Sequence, residues 1–212
     1  MTHNIDLKKI EKKILKTGHQ HGLFDMVIGF IVLGMAFGPI FRESLPPPYN
    51  YFLWPLIVVI IAEIILLLII KYVIQPRVGI AKPGPSLKSI RKKLLITILI
   101  QFVIQLTFFI LLITGSGPGI QVEGLMFVLI IGLFFLPLFG ILGYLMKFPR
   151  IYLIGLLIWL AIIINELLYD PIDYRIRWLL SYGVIGCIIF LIGLIIFIQF
   201  LKKYPKPKTE MV

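Results

Sequence analysis

The sequence predicts an all-α polytopic integral membrane protein: a six-helix transmembrane bundle with its N-terminus and C-terminus cytoplasmic. Composition is the first sign. Of 212 residues, 59% are hydrophobic and 15% charged, against roughly 45–50% apolar and about 25% charged in a soluble domain. A chain whose outer surface meets lipid has no need of a polar coat. Periodic apolar runs are the second sign, because six of them approach the ~20 residues that a helix needs to cross ~30 Å of hydrocarbon. The third is the distribution of lysine and arginine, which sets the orientation.

Residues 1–22 read as a basic cytoplasmic segment. Within it, Asn4–Lys16 has Leu7, Ile10 and Ile14 at helical spacing with lysines around them. That pattern predicts a short amphipathic helix able to lie on the inner leaflet. It reads equally as a plain topology determinant. Asp6 and Glu11 interrupt the charged region and no cleavage site follows, so the first apolar run is expected to stay as a helix. Residues 23–200 form the transmembrane domain, with spans at Leu23–Phe41, Phe52–Ile74, Leu94–Thr114, Val122–Leu145, Ile151–Tyr169 and Trp178–Phe200. Breakers fall between them: Pro46-Pro47-Pro48, Pro76, Pro83-Gly84-Pro85, Gly115–Gly119, Pro149 and Pro171. Residues 201–212 are a basic cytoplasmic tail.

Of the 21 lysines and arginines, all but Arg42, Arg175 and Arg177 fall on one side of this alternating path. They lie in the N-terminal segment, between spans two and three, between spans four and five, and in the C-terminal tail. Positive charge marks the cytoplasmic face, so the protein is expected in the cell membrane as a multi-pass protein. The net charge of +11 is therefore assigned to anionic lipid headgroups at that face, not to nucleic acid. Other expected partners are a protein partner or a second copy of the chain.

Several aromatic residues near span ends, among them Tyr51, Trp54, Tyr72, Tyr144, Tyr169, Tyr174 and Trp178, suit the membrane–water boundary. Trp159 lies deeper and reads as a packing residue. Small surfaces for helix contact are offered by Gly34 with Gly38, by Gly124, Gly132 and Gly140, and by Gly183, Gly186 and Gly193. Pro137 is expected to kink the fourth span. The lone cysteine, Cys187, sits inside the last apolar run and supports neither a disulfide nor a metal cluster.

Polar groups inside apolar runs are the candidate functional residues. Glu63 lies near the centre of the second span with no basic residue at its depth. An ionised carboxylate there is costly. Gln101 and Gln105, four apart in the third span, share a face, and Gln105 is near the midplane. Glu63, Gln101 and Gln105 are the candidate intramembrane site. Two readings of Glu63 stand: a protonated tie hydrogen-bonded between helices, or a carboxyl that binds a proton or cation beside a transport path. Asn165, Glu166 and Asp170 form a candidate external polar cluster, which also reads as a solvated face with ordinary ion pairing. Asp25 follows His19 and His21 closely enough to consider a metal site, but the spacing is not diagnostic, and a helix-start anchor is the plainer role. No metal or cofactor is expected.

Signatures of hydrolases, P-loop nucleotide binding and intramembrane proteases are missing, and all three histidines fall in the first 21 residues. An enzyme is the weakest reading. The segment Tyr72–Gly79 (YVIQPRVG) and the helix start Gly22-Leu23-Phe24-Asp25 resemble small uncharacterised prokaryotic multi-pass membrane proteins. Those carry a Pro-Arg-x-Gly turn after a transmembrane helix, here Pro76, Arg77 and Gly79. The resemblance covers about the first 80 residues and implies a topology but no chemistry. On the residues alone, Pro76 is expected to end the second helix. Two functions follow as expectations: transport of an ion or small solute with proton coupling through Glu63, or a non-catalytic membrane scaffold or partner subunit.

Overall fold

The computed structural model describes residues 21–44, 49–78, 89, 92–93, 95–101, 103–104, 107 and 124–205. All regular structure among them is helical. In chain order the helices are α1 (Leu23–Ala36), α2 (Gly38–Ser44), α3 (Tyr49–Ile69), α4 (Leu125–Met146), α5 (Arg150–Leu167), α6 (Tyr174–Trp178) and α7 (Val184–Lys203). Four stretches are long and apolar enough to cross a membrane: Leu53–Arg77, Val128–Met146, Arg150–Leu167 and Tyr174–Lys203. The apolar helix Leu23–Ala36 is shorter. Of the expected third span, residues 95–101, 103–104 and 107 are helical. The rest of it, the amphipathic segment Asn4–Lys16 and the tail beyond residue 205 lie outside the described residues.

Two compact units make up the chain. One is drawn from Thr17–Lys82 and Leu168–Val212, the other from Met1–Lys16 and Pro83–Leu167. The first unit is built on α1 and α7, which run antiparallel at very close range. Gly22 and Gly29 are seven residues apart on α1's side of the contact, and Gly186 and Gly193 are seven apart on α7. A Cβ at Gly29 would fall on the backbone of Phe190. One at Gly186 would lie 2.5 Å from the Leu33 backbone nitrogen, and one at Gly193 2.5 Å from that of Met26. Gly22 faces the Gly193 carbonyl and has φ +69°, so glycine is required there twice over. Without a hydrophobic force to separate helix from lipid, such backbone contact is what dispersion can supply.

The sequence reads the first span as one helix, Leu23–Phe41, whereas the structure divides it at Phe37. Pro39 has no N–H for the carbonyl one turn back, and Gly38 tolerates the change of direction. The Gly34 carbonyl, released by the break, accepts the Phe37 N–H at 3.2 Å and the Trp54 indole N–H at 2.8 Å. Trp54 also stacks on Phe41, with ring centroids 3.6 Å apart and planes 7° from parallel. Its expected place in an interfacial belt is thus a tie between α1 and α3. Val58 packs into the space left by Gly34.

Pro76 does not end the second span. α3 runs through a π-helical turn, Ile70–Ile74, into a last α-helical turn, Gln75–Val78. A π-turn widens the hydrogen-bond ladder just before the proline, where the ring would otherwise crowd the preceding turn. A second π-turn, Leu179–Gly183, joins α6 to α7, so that Tyr174–Lys203 is one helical run.

In the second unit α4 and α5 form an antiparallel hairpin. Trp159 packs over Gly132, Phe139 over Gly155, and Ile151 with Tyr152 over Gly143. The turn between them is a Schellman motif: the Phe148 N–H reaches the Gly143 carbonyl at 3.0 Å and the Lys147 N–H reaches Tyr144 at 3.3 Å. Lys147 takes the left-handed position at φ 52° that glycine usually fills. Pro137 lies within α4, which is continuous through it. Gly124 is not on a helix face at all. It caps the start of α4 at φ 62°.

These contacts separate structural from neutral glycines. Gly29→Ala and Gly186→Ala are expected to lower stability by roughly 1–3 kcal/mol each, since the backbone opposite cannot yield as a side chain can. Gly140→Ala, with nothing within 4 Å of the added methyl, should stay within about 0.5 kcal/mol. Loss of helical circular dichroism on denaturant titration of the detergent-solubilised protein measures all three.

Candidate functional site

Glu63 is in the middle of the Leu53–Arg77 run, on a face of α3 that its own unit leaves open. The packed face carries Val58 and Ala62, 4% and 1% exposed, while Leu56, Ile60, Ile64 and Leu67 lie out with Glu63. Among the described residues the Glu63 carboxyl makes no hydrogen bond or ion pair. Gln101 is half-buried and belongs to the other unit, and Gln105 lies outside the described residues. The expected intramembrane trio thus has members in both units and one outside the described residues.

The expected external cluster likewise has members in both units. Asn165 and Glu166 end α5 in one unit, both half-buried. Asp170 is exposed and belongs to the other. Asp173 is committed to helix capping, its Oδ1 accepting the Arg175 N–H at 2.9 Å.

At the start of α1, Asp25 is 2% exposed in the first helical turn, where the helix dipole favours a negative charge. His21 accepts the Leu23 N–H at 3.2 Å through Nδ1. Its ring meets Phe200 edge-on, with centroids 5.8 Å apart. No group of histidine, cysteine, aspartate or glutamate suited to a metal ion occurs among the described residues.

One residue entered the sequence reading only as a charge to be counted. Arg177, in α6, is 6% exposed. Its guanidinium carbon lies 4.4 Å from the centre of the Tyr169 ring and 5.4 Å from that of Tyr174. Its Nε is buried with no hydrogen-bond partner, as is the indole nitrogen of Trp178 beside it. Below them Ser181 donates to the Arg177 carbonyl at 2.8 Å, satisfying a backbone acceptor where the helix changes to a π-turn. The spacing Tyr174–Arg177–Ser181 places three residues on one helical face, the one signal in the sequence that these groups belong together. At the opposite end of the unit, Arg77 also has buried Nε and Nη1 atoms without partners.

No family model, curated protein or solved structure matches the chain.

Trp159, expected to pack, donates its indole N–H to the Val128 carbonyl at 3.4 Å while covering Gly132. Trp54 makes the shorter bond to Gly34. Trp54→Phe should keep the ring stack and lose that bond, lowering stability by about 1 kcal/mol. Trp159→Phe, losing a longer bond, should lower it by less; both are measured by the same denaturant titration.

Proposed function

We propose that this chain is a six-span protein of the cell membrane, with both termini cytoplasmic, that moves an ion or small solute with Glu63 as its proton-exchanging group. The observation that carries the reading is the state of Glu63. It is a carboxyl at the middle of a 25-residue apolar helix, and it has no structural duty among the described residues. An ionisable group at that depth is costly to keep. A carboxyl with no ion pair or hydrogen bond to give up can take and release a proton without dismantling a helix contact.

The orientation draws support from the first unit. α1 begins and α7 ends at the same end of it, with His21 against Phe200. α3 runs antiparallel to α1, so Arg77 falls toward that end too, along with Lys202 and Lys203. Arg175 and Arg177 fall at the other. This matches the segregation of charge that marks a cytoplasmic face. The likeness to prokaryotic multi-pass proteins with a Pro-Arg-x-Gly segment fits the same topology.

A second reading rests on the same helix. The outward row of Leu56, Ile60, Ile64 and Leu67 suits a neighbouring helix as well as it suits lipid, and Glu63 at its centre would then bond across to a partner subunit or second copy. This is the scaffold alternative, in which the basic stretches Lys8–Lys16 and Lys88–Lys93 dock lipid or protein.

Proteoliposomes separate the two. Proton and monovalent-cation flux is expected in the wild type, rising above empty vesicles under a pH gradient, and should vanish in Glu63→Gln while helicity and monodispersity are kept. Equal flux in the two proteins, or none in either, sinks the transport reading. If Glu63→Gln instead shifts the oligomeric state in detergent, the association reading takes its place. For the topology, a reporter that fluoresces only in the cytoplasm should be bright when fused to either end of the chain. A dark fusion at one end means an odd number of crossings.

A further inference from the structure

Arg177 is a cation that the first unit encloses with no anion against its guanidinium among the described residues. Its residue is 94% covered, since only 6% is exposed. No hydrogen bond or ion pair reaches its guanidinium among the described residues. Asp173, the nearest carboxylate in sequence, is turned to the Arg175 backbone, and Asp170 is exposed. Arginine cannot escape by losing its proton. A buried guanidinium is tolerated only when an anion and a set of hydrogen bonds replace the water it has lost.

The two tyrosine rings supply part of that replacement. Tyr169 and Tyr174 offer their faces to the cation at 4.4 and 5.4 Å, where the ring quadrupole attracts it. Ring faces do not accept the in-plane N–H bonds, and Nε–H in particular has no acceptor. The Trp178 indole N–H, on the next residue, is a second buried donor in the same condition. An Nε–H buried without an acceptor, on a planar fork whose neighbouring N–H points the same way, matches an oxyanion, which accepts two parallel bonds.

Position selects the oxyanion. Arg177 is the fourth residue of the 30-residue apolar run Tyr174–Lys203, so a helix crossing a bilayer holds it close to one boundary of the hydrocarbon. Tyr169, Tyr174, Trp178 and Tyr182 gather there, with Trp178 in ring contact with Tyr174 at 5.8 Å and Tyr182 at 4.9 Å. Amphipathic aromatic rings sit at headgroup depth. The abundant anion at that depth is phosphate.

We propose that Arg177, framed by Tyr169 and Tyr174, binds a phosphate group at the membrane boundary, carried by a phospholipid headgroup or arriving as free inorganic phosphate. The site lies apart from Glu63 in sequence and role, and it stands whether or not the protein transports. The Leu179–Gly183 π-turn and the Ser181 bond to the Arg177 carbonyl hold the arginine's backbone in place before any ligand arrives.

Native mass spectrometry of the delipidated full-length protein tests this. The probes are phosphatidylglycerol, a phosphate-free diacyl glycolipid, and inorganic phosphate. The wild type should bind phosphatidylglycerol in preference to the glycolipid by roughly tenfold or more, as loss of charge-assisted hydrogen bonds implies. Arg177→Gln should abolish that preference, and Arg175→Gln, which removes an exposed charge next to it, should leave it intact. Millimolar inorganic phosphate that displaces the lipid, or alone raises the melting temperature of the wild type but not of Arg177→Gln, identifies the free anion as ligand. Failure to displace identifies the headgroup. Equal binding of both lipids by the wild type with no response to phosphate overturns the proposal, as does a preference that survives Arg177→Gln. Should Arg177→Gln misfold, Arg177→Lys keeps the charge without the fork and is expected to weaken the preference with helicity unchanged; an unweakened preference there also counts against the site.

Discussion

The closest constraint in the first unit is the approach of two backbones. α1 and α7 meet where Gly22, Gly29, Gly186 and Gly193 present no side chain, and a single added carbon at Gly29, Gly186 or Gly193 would collide with main-chain atoms opposite. A side chain can rotate away from an intruder; a helical backbone cannot without losing its ladder. The approach fixes more than distance. It sets α1 and α7 antiparallel and in register, which brings His21 to Phe200 at one end and Ala36 to Gly183 at the other. α3 then joins through Val58 in the hollow at Gly34 and through the Trp54 bond to the Gly34 carbonyl. The broken end of α1 is therefore also the docking point of the next helix.

Most of the helices were legible in the sequence, because a bilayer demands a length and an apolarity that composition cannot hide. The second, fourth, fifth and sixth runs all reappear as long apolar helices, with ends shifted by a few residues. Helix ends and breaks were less legible. Pro76 carries the strongest stop signal after the second span and yet is absorbed behind a π-turn, while the real interruption falls at Phe37, just before Gly38 and Pro39. A proline forbids one hydrogen bond; whether the helix ends or rewinds depends on how the neighbouring carbonyls are satisfied, and those partners come from other helices.

The glycines show the same boundary between local and non-local information. A search for small residues three or four apart finds Gly34 with Gly38, yet the backbone-to-backbone contacts use spacings of seven. That spacing gains meaning only when two helices carrying it are known to be neighbours, and the first and last spans are far apart in sequence. Gly140 looks equivalent to Gly132 along α4, but one meets open space and the other the Trp159 ring. Arg177 was hidden for a related reason. A charge between spans is expected in water, and only the folded path of Tyr169 and Tyr174 encloses it.

The ionisable groups of the first unit then separate by what surrounds them, not by depth alone. Asp25 is buried, but at a helix start whose dipole offsets its charge. Glu63 is deeper along an apolar run, on an open face. Arg177 has neither such a helix start nor an open face: its charge is permanent, and among the described residues its surroundings supply aromatic faces in place of an anion. A fold that keeps such a residue has either a ligand that completes it or a large unoffset cost. The proton exchange proposed for Glu63 and the oxyanion binding proposed for Arg177 are therefore independent proposals, since they ask different things of different groups. Altering pH at constant lipid, and lipid at constant pH, therefore perturbs them separately.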